Sequence, residues 1–389
     1  MPAWLFALLA TAFVFYTDDY VIAGVLPELA AELAVSNAQA GQLVTVFSLT
    51  VAVAAPIAGV VLARVPRRRL FAIALPVFAL ANLLAAIVPT YEVLLLLRVL
   101  AALAAAASTP ASFALAAALA PPERVGRYIA VVALGVTGAT ALGVPIGTWI
   151  GGALGWRATF ATMAVLGIGA LVFLLATLPK TTVDTEPTPL RAQFRVLSAP
   201  AVSLGLLANT ALMTGSMMFL TYLAPFLGEV ATTDITVRGA LFALSGIAGM
   251  IGIWAGGLAT DRWGSDRTLT IGVGAFLLAM AVLWAAWLLR PVGLPVILLP
   301  GIVWGAAAFW NSPAVAARLH RLAGPVAPQA LAWNTSATYL GVAAGGVVGG
   351  ILLTTVGTGA LPVAAAGFGA IAFVLFWWAA RFPRPTVDA

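Results

Sequence analysis

The chain has 389 residues, of which 62% are hydrophobic and 8% charged, with a mean hydropathy of +1.08 and a formal charge of +6. Soluble domains carry roughly 25% charged residues, so a water-soluble core does not account for this composition. Cysteine is absent and His320 is the single histidine, which excludes disulfides, iron–sulfur clusters and multi-histidine metal centres.

The uncharged runs are each long enough to cross about 30 Å of hydrocarbon as helices rising about 1.5 Å per residue. None alternates apolar with polar as the strands of a membrane barrel do. Breaks fall at Pro27–Gln42, Arg64–Arg69, Pro89–Glu92, Pro121–Arg127, Leu154–Arg157, Pro179–Ser198, Gly228–Arg238, Asp261–Arg267, Arg290–Pro295, Arg318–Gln329 and Val356–Ala360. They predict an all-α membrane protein of twelve spans: a six-helix bundle over 1–178, a tether over 179–199 and a second six-helix bundle over 200–389. The N-terminus, Met1-Pro2-Ala3-Trp4, has no basic residue before its apolar run, so the first segment reads as a retained span rather than a signal peptide. Basic residues collect in alternate breaks: Arg64 and Arg67–Arg69, Arg124 and Arg127, Lys180 with Arg191 and Arg195, Arg262 and Arg267, Arg318 and Arg321. The opposite set holds Arg157, Arg238 and Arg290. The positive-inside rule then puts both termini and the linker in the cytoplasm of a plasma-membrane protein. The same dispersal argues against a nucleic-acid partner.

The first span carries Tyr16-Thr17-Asp18-Asp19-Tyr20. A carboxylate at bilayer depth costs about 2.5–3.5 kcal/mol on insertion scales, so such acids face cavities and have a task. Neighbouring helical residues point about 100° apart. Asp19 shares its face with Tyr16, Ala12 and Ala23, and Asp18 shares its face with Val14, Val21 and Ile22. The smaller, more polar face favours Asp19 as the proton carrier, with Asp18 as its neighbour. Either acid could instead tie spans together. Arg98, six residues past Glu92, lies about 9 Å below the surface, and Asp19, eight residues before Pro27, about 12 Å below the same surface. The matched depths suggest an Asp19–Arg98 pair that loosens on protonation, although Arg98 could also snorkel.

Further along, Gly135-Val-Thr-Gly138 and Gly143-Val-Pro145-Ile-Gly147 give the fifth span a small-residue face, which suits a close, movable seam between halves or plain packing. Pro145 can bend the helix. The second half has amides instead of charges: Asn209 on the seventh span, Asn311 beside Trp310 on the tenth, and Asn334 on the eleventh. Amides and indoles can hold a partly apolar solute, or glue helices together. Gly59-(three residues)-Ala63-Arg64 recurs 198 residues later as Gly257-(three residues)-Asp261-Arg262, the sign of a repeated half. His320 reads as a solvated loop residue. No P-loop, nucleophile elbow or metalloprotease motif is present, so neither an enzyme nor a nucleotide-driven pump is expected.

These residues resemble the major facilitator superfamily, in particular its twelve-span drug:proton antiporters of the chloramphenicol-efflux and arabinose-efflux type. Thr17-Asp18-Asp19-Tyr20 with Gly24 and Leu26-Pro27 is similar to that group's first-span signature, and Arg98-Val99-Leu100 to its fourth-span arginine motif, associated with proton coupling. Gly135 through Gly147 resembles the fifth-span antiporter motif, with Gly143-Val144-Pro145 in place of the commoner Gly-Pro pairing. Gly257 through Gly264 resembles the gating loop, whose first-half copy has Ala63 for the usual acid and Pro66 for a glycine, so gating is expected to lean on Asp261-Arg262. The resemblance implies alternating access by two rocking bundles, no cofactor, a proton gradient as the driving force, a small-molecule substrate and a monomer. Export of an amphipathic drug is the leading expectation. Export of a sugar or nucleoside-like metabolite, or a non-transporting receptor or scaffold, are the alternatives.

Overall fold

The computed structural model describes residues 1–179, 194, 196–231, 233–323, 327–379 and 381–382. Most of the expected linker, including Lys180, Asp184, Glu186, Arg191 and Arg195, lies outside the described residues. Among the described residues, eleven helices are long and apolar enough to cross a membrane, or twelve when α1 (Ala3–Tyr20) and α2 (Ile22–Glu32), which meet at 43°, count as one span. In hydrocarbon every backbone polar group needs an internal partner, which the helix supplies.

The remaining spans of the first half are α3 (Asn37–Val61), α4 (Arg67–Ala85), α5 (Tyr91–Ala118), α6 (Val125–Gly138) continued through a π-helical turn into α7 (Val144–Leu154), and α8 (Trp156–Thr177). The second half has α9 (Pro200–Thr221) continued by α10 (Leu223–Val230), α11 (Ile235–Trp263), α12 (Ser265–Leu288), α13 (Leu294–Ala323), α14 (Ala327–Thr355) and α15 (Ala360–Ala379). Large apolar side chains such as Leu96, Val165, Trp254 and Leu278 stay exposed on the perimeter, where lipid is the solvent.

The packing repeats partner for partner. In the first half α1 packs on α6 and α8, α3 on α5, and α4 on α5 and α8. In the second, α9 packs on α14 and α15, α11 on α13, and α12 on α13 and α15. Each first-half pairing thus has its second-half image, giving two pseudo-symmetric six-helix bundles. The bundles meet along two seams, α3 against α14 and α7 with its π-helical turn against α11. Those seams are themselves images of each other.

Three boundaries differ from expectation. The first break is shorter, because α2 runs through Pro27 to Glu32, and Ser36 with Gln39 forms a capping box that starts α3. The bend at Val21 comes earlier and takes up the change in direction. The eighth and ninth spans are separated by Gly264 alone, whose φ of 78° a side chain would resist. The tenth span continues to Ala323, so His320 sits on the last helical turn rather than in a loop.

Candidate functional site

A cavity of about 850 Å³ lies between the bundles. Its mouth is formed by Gly59, Leu62, Ala63 and Arg67, on the side of the Arg64–Arg69 loop. At the opposite end the halves are closed. Arg238 on α11 pairs with Glu28 on α2, and the Trp149 indole donates to the Thr236 carbonyl at 3.2 Å. The amide of Gln42 donates to the Gly346 carbonyl at 3.2 Å across the other seam. The Tyr222 hydroxyl donates to the same carbonyl at 2.7 Å. A separate basin of about 560 Å³, lined by Pro27, Glu229 and Arg238 among others, lies on this closed side.

Glycine explains how closely the seams approach. A Cβ on Gly246 of α11 would lie 2.4 Å from the Thr140 carbonyl oxygen, and one on Gly346 of α14 would lie 2.1 Å from Thr45 Oγ1. The fifth-span glycines do something else. A Cβ on Gly143 would strike Thr17 at 2.1 Å and one on Gly147 would strike Val21 at 2.2 Å, so they seat this span on the first span within its own half. Of the two readings offered for Gly143 and Gly147, a seam between halves or plain packing, the structure shows packing within the half; the opposite face of the helix makes the seam. Pro145 follows the π-helical turn at Ala139–Gly143, and its missing N–H is accommodated by that widened turn.

The buried charges sit where the first span bends. Asp18, Asp19 and Arg98 are all essentially inaccessible. Arg98 Nη1 donates to Asp18 Oδ2 at 2.6 Å and Nη2 to the Asp18 carbonyl at 2.9 Å. The guanidinium also lies 4.4 Å from the centroid of the Phe47 ring. Arg98 therefore joins Asp18, and the expected Asp19–Arg98 pair is corrected. Depth could not separate two neighbours about 1.5 Å apart along the axis, whereas direction does. Asp19 Oδ1 instead accepts from Ser48 Oγ on α3 at 3.2 Å, and its Oδ2 has no hydrogen-bond partner. Asp19 also does not reach the cavity: Tyr16 and Tyr20 line it from the same helix.

In the second half, Asn209 donates to Asn334 Oδ1 and to Thr338 Oγ1, each at 3.0 Å. All three residues line the cavity. Asn311 lines it too and donates to the Ala307 carbonyl at 3.1 Å, leaving its Oδ1 without a partner. Trp310 is corrected: its indole donates to the Thr268 carbonyl on α12 at 2.9 Å, away from the cavity. It precedes Asn311, and only one of two adjacent helical residues can face inward. Aromatic and thioether residues that the sequence reading passed over complete the wall, among them Phe113, Met213, Phe309, Trp333 and Tyr339. Thr338, four residues after Asn334, was the legible signal for that face.

Asp261 and Arg262 are exposed at the mouth side and make no ion pair among the described residues. The acid that does pair there is Asp266, with Arg318, whose guanidinium also donates to the Phe376 carbonyl. Arg64 is exposed as well, and a Cβ on Gly59 would meet open space. Arg64, Asp261 and Arg262 thus make no ion pair among the described residues. Arg68 caps the end of α8 by donating to the Leu178 carbonyl at 3.1 Å.

Residues 8–327 match the Major Facilitator Superfamily. The inner membrane transport protein YdhP of Escherichia coli K12 is 32% identical over 387 residues, 98% of this chain and 97% of that protein. A chloramphenicol resistance protein of Streptomyces lividans is 32% identical over 355 residues, 90% of this chain and 88% of that protein. The xylose transporter XylE from E. coli, in a partially occluded inward-open conformation, superposes with a TM-score of 0.78 at 17% identity over 99% of both chains, a likeness of fold. Two six-helix bundles around a central cavity, this match along most of the chain and an inner membrane transport protein as a relative along nearly its whole length lead to one conclusion: the chain belongs to the Major Facilitator Superfamily and is a multi-pass membrane transporter.

Proposed function

We propose that this transporter exports a small amphipathic compound in exchange for protons, by alternating exposure of the central cavity. The observation that carries the reading is the buried acid pair, with Asp18 bound by Arg98 and Asp19 held by a single hydrogen bond from Ser48. A buried acid with no ion pair of its own among the described residues is suited to gaining and losing a proton. The cavity supports an amphipathic cargo: aromatic and thioether surface with the Asn209–Asn334–Thr338 amide cluster. The similarity to a chloramphenicol resistance protein agrees with a drug-like substrate.

The arginine-rich side is taken as cytoplasmic, so the cavity opens inward and the Glu28–Arg238 side faces out. Cargo entering from within favours release of the Asp19 proton; closure of the mouth and opening of the far side expose Asp19 to be protonated again. The ligand's differential affinity for the two states shifts the equilibrium. The protein acts as a monomer, driven by the proton gradient without a cofactor. The test is a panel of polar and apolar compounds, including chloramphenicol and pentoses, supplied to proteoliposomes carrying a pH gradient. Gradient-dependent movement of an apolar-aromatic compound is expected. Movement of polyols alone, or binding without flux, contradicts the proposal.

A further inference from the structure

Three tyrosines line the cavity near Asp19, which does not itself line it. Tyr16 and Tyr20 come from α1, and Tyr339 comes from α14 in the other half. All three are mostly buried yet line the cavity, which Asp19 does not. The Tyr16 ring lies 6.0 Å from the Tyr339 ring and 6.1 Å from the Tyr20 ring. The Tyr16 and Tyr339 side chains therefore face each other across the two halves, at the cavity wall beside the bend that holds Asp19. Tyr16 stands three residues before Asp19, on the same helical face. The charged and polar groups around Asp19 are Asp18 on its own helix, Arg98 from α5, Ser48 from α3 and these tyrosines. Arg98 is occupied by Asp18 and Ser48 by Asp19 Oδ1, so the unpartnered Oδ2 is the oxygen left for exchange.

We propose that Tyr16 and Tyr339 form a proton relay, assembled from both halves of the protein, that connects Asp19 to the water of the cavity. This rests on the proton-coupled reading above. On release, Asp19 gives its proton to the Tyr16 hydroxyl oxygen as Tyr16 passes its own hydroxyl proton to Tyr339. Tyr339 in turn passes its proton to a cavity water. Both phenols end neutral, Asp19 ends as a carboxylate and the water carries the proton away; uptake runs the same path backwards. Because Tyr339 belongs to the half that moves relative to Tyr16, the relay is complete only while the two walls are together. Proton exchange with this side is thereby tied to conformation without a second buried charge.

The test needs no identified substrate. Purified full-length protein is subjected to a stopped-flow pH jump with pyranine as the proton reporter, comparing wild type with Asp19→Asn, Tyr339→Phe and Tyr16→Phe. The expected result is an uptake phase that Asp19→Asn removes. Each tyrosine variant then slows that phase by at least about tenfold while its amplitude stays unchanged, since a relay alters the rate and not the equilibrium. A purely structural tyrosine would alter amplitude or fold and leave the rate of well-folded protein alone. An Asp19-dependent phase of wild-type rate in both tyrosine variants overturns the relay and leaves the proton-coupled reading standing. Absence of any Asp19-dependent phase in wild type overturns both.

Discussion

The two halves share their packing and differ in what they bury. At the bend of the first span the N-terminal half encloses two carboxylates and a guanidinium; around the seventh and eleventh spans the C-terminal half offers two amides and a hydroxyl facing the cavity. A charge cluster sealed away from the cavity suits energy coupling. Neutral hydrogen-bonding groups on the wall suit a cargo without a fixed charge, because they hold it without demanding a counterion. Duplicated architecture has thus been filled with two chemistries, and the cavity lies between them.

The comparison is broken most severely by unpairing the charge cluster. Asp18→Asn leaves Arg98 buried without its carboxylate, and removing one partner of a buried pair costs about 3–5 kcal/mol. The expected outcome is a large fall in thermal stability and folded yield, with partial recovery in Asp18→Asn combined with Arg98→Met. If Asp18→Asn melts like wild type, the pair is not the structural clamp described here. Asp19→Asn, by contrast, keeps the hydrogen-bonding shape beside Ser48 and should preserve stability within about 1 kcal/mol.

A second break is at the seams. Gly246→Val and Gly346→Val insert side chains where the opposing half lies 2.4 Å and 2.1 Å from a Cβ. Both should weaken closure of the Glu28–Arg238 side. The chain lacks cysteine, so one thiol introduced beside Arg238 reports accessibility against a silent background. Labelling should rise about tenfold in the seam variants, for a destabilisation of about 1.4 kcal/mol. Labelling equal to the parent would show that the seam tolerates the extra methyls.

The smallest effects are expected in the amide cluster. Asn209→Ala removes a donor that bridges Asn334 and Thr338, and a hydrogen bond of this kind contributes about 0.5–1.5 kcal/mol net. Cargo affinity should fall by about 2- to 10-fold, with the proton-to-cargo ratio unchanged. A changed ratio would mean that the second half shares in coupling and would dissolve the division of labour.

Much of this was legible in the residues. Long uncharged runs specify the spans, and the paired acids single out the stretch where the first span bends, whatever their partners. What remained hidden was direction. Asp18 and Asp19 differ by one residue, and only the placement of α5 decides which meets Arg98; Trp310 and Asn311 posed the same ambiguity on α13. The sequence left the fifth-span glycines open between a seam and plain packing for a related reason. Glycine announces a close approach, yet Gly143 on the fifth span and Gly346 on the eleventh look alike until the partner helix is known. Tyr339 carried no sign at all, because the relay proposed for it depends on a residue on another span more than three hundred positions away.

The central claim is that Asp19 alone carries the exchangeable proton, with Asp18 held by Arg98. It is tested most directly by measuring cargo-dependent proton movement in proteoliposomes, using chloramphenicol as the probe, for wild type and Asp19→Asn. The account predicts proton movement coupled to cargo in wild type. Asp19→Asn should show none, while cargo exchange at equal pH on both sides continues. Undiminished proton-coupled transport by Asp19→Asn would contradict it.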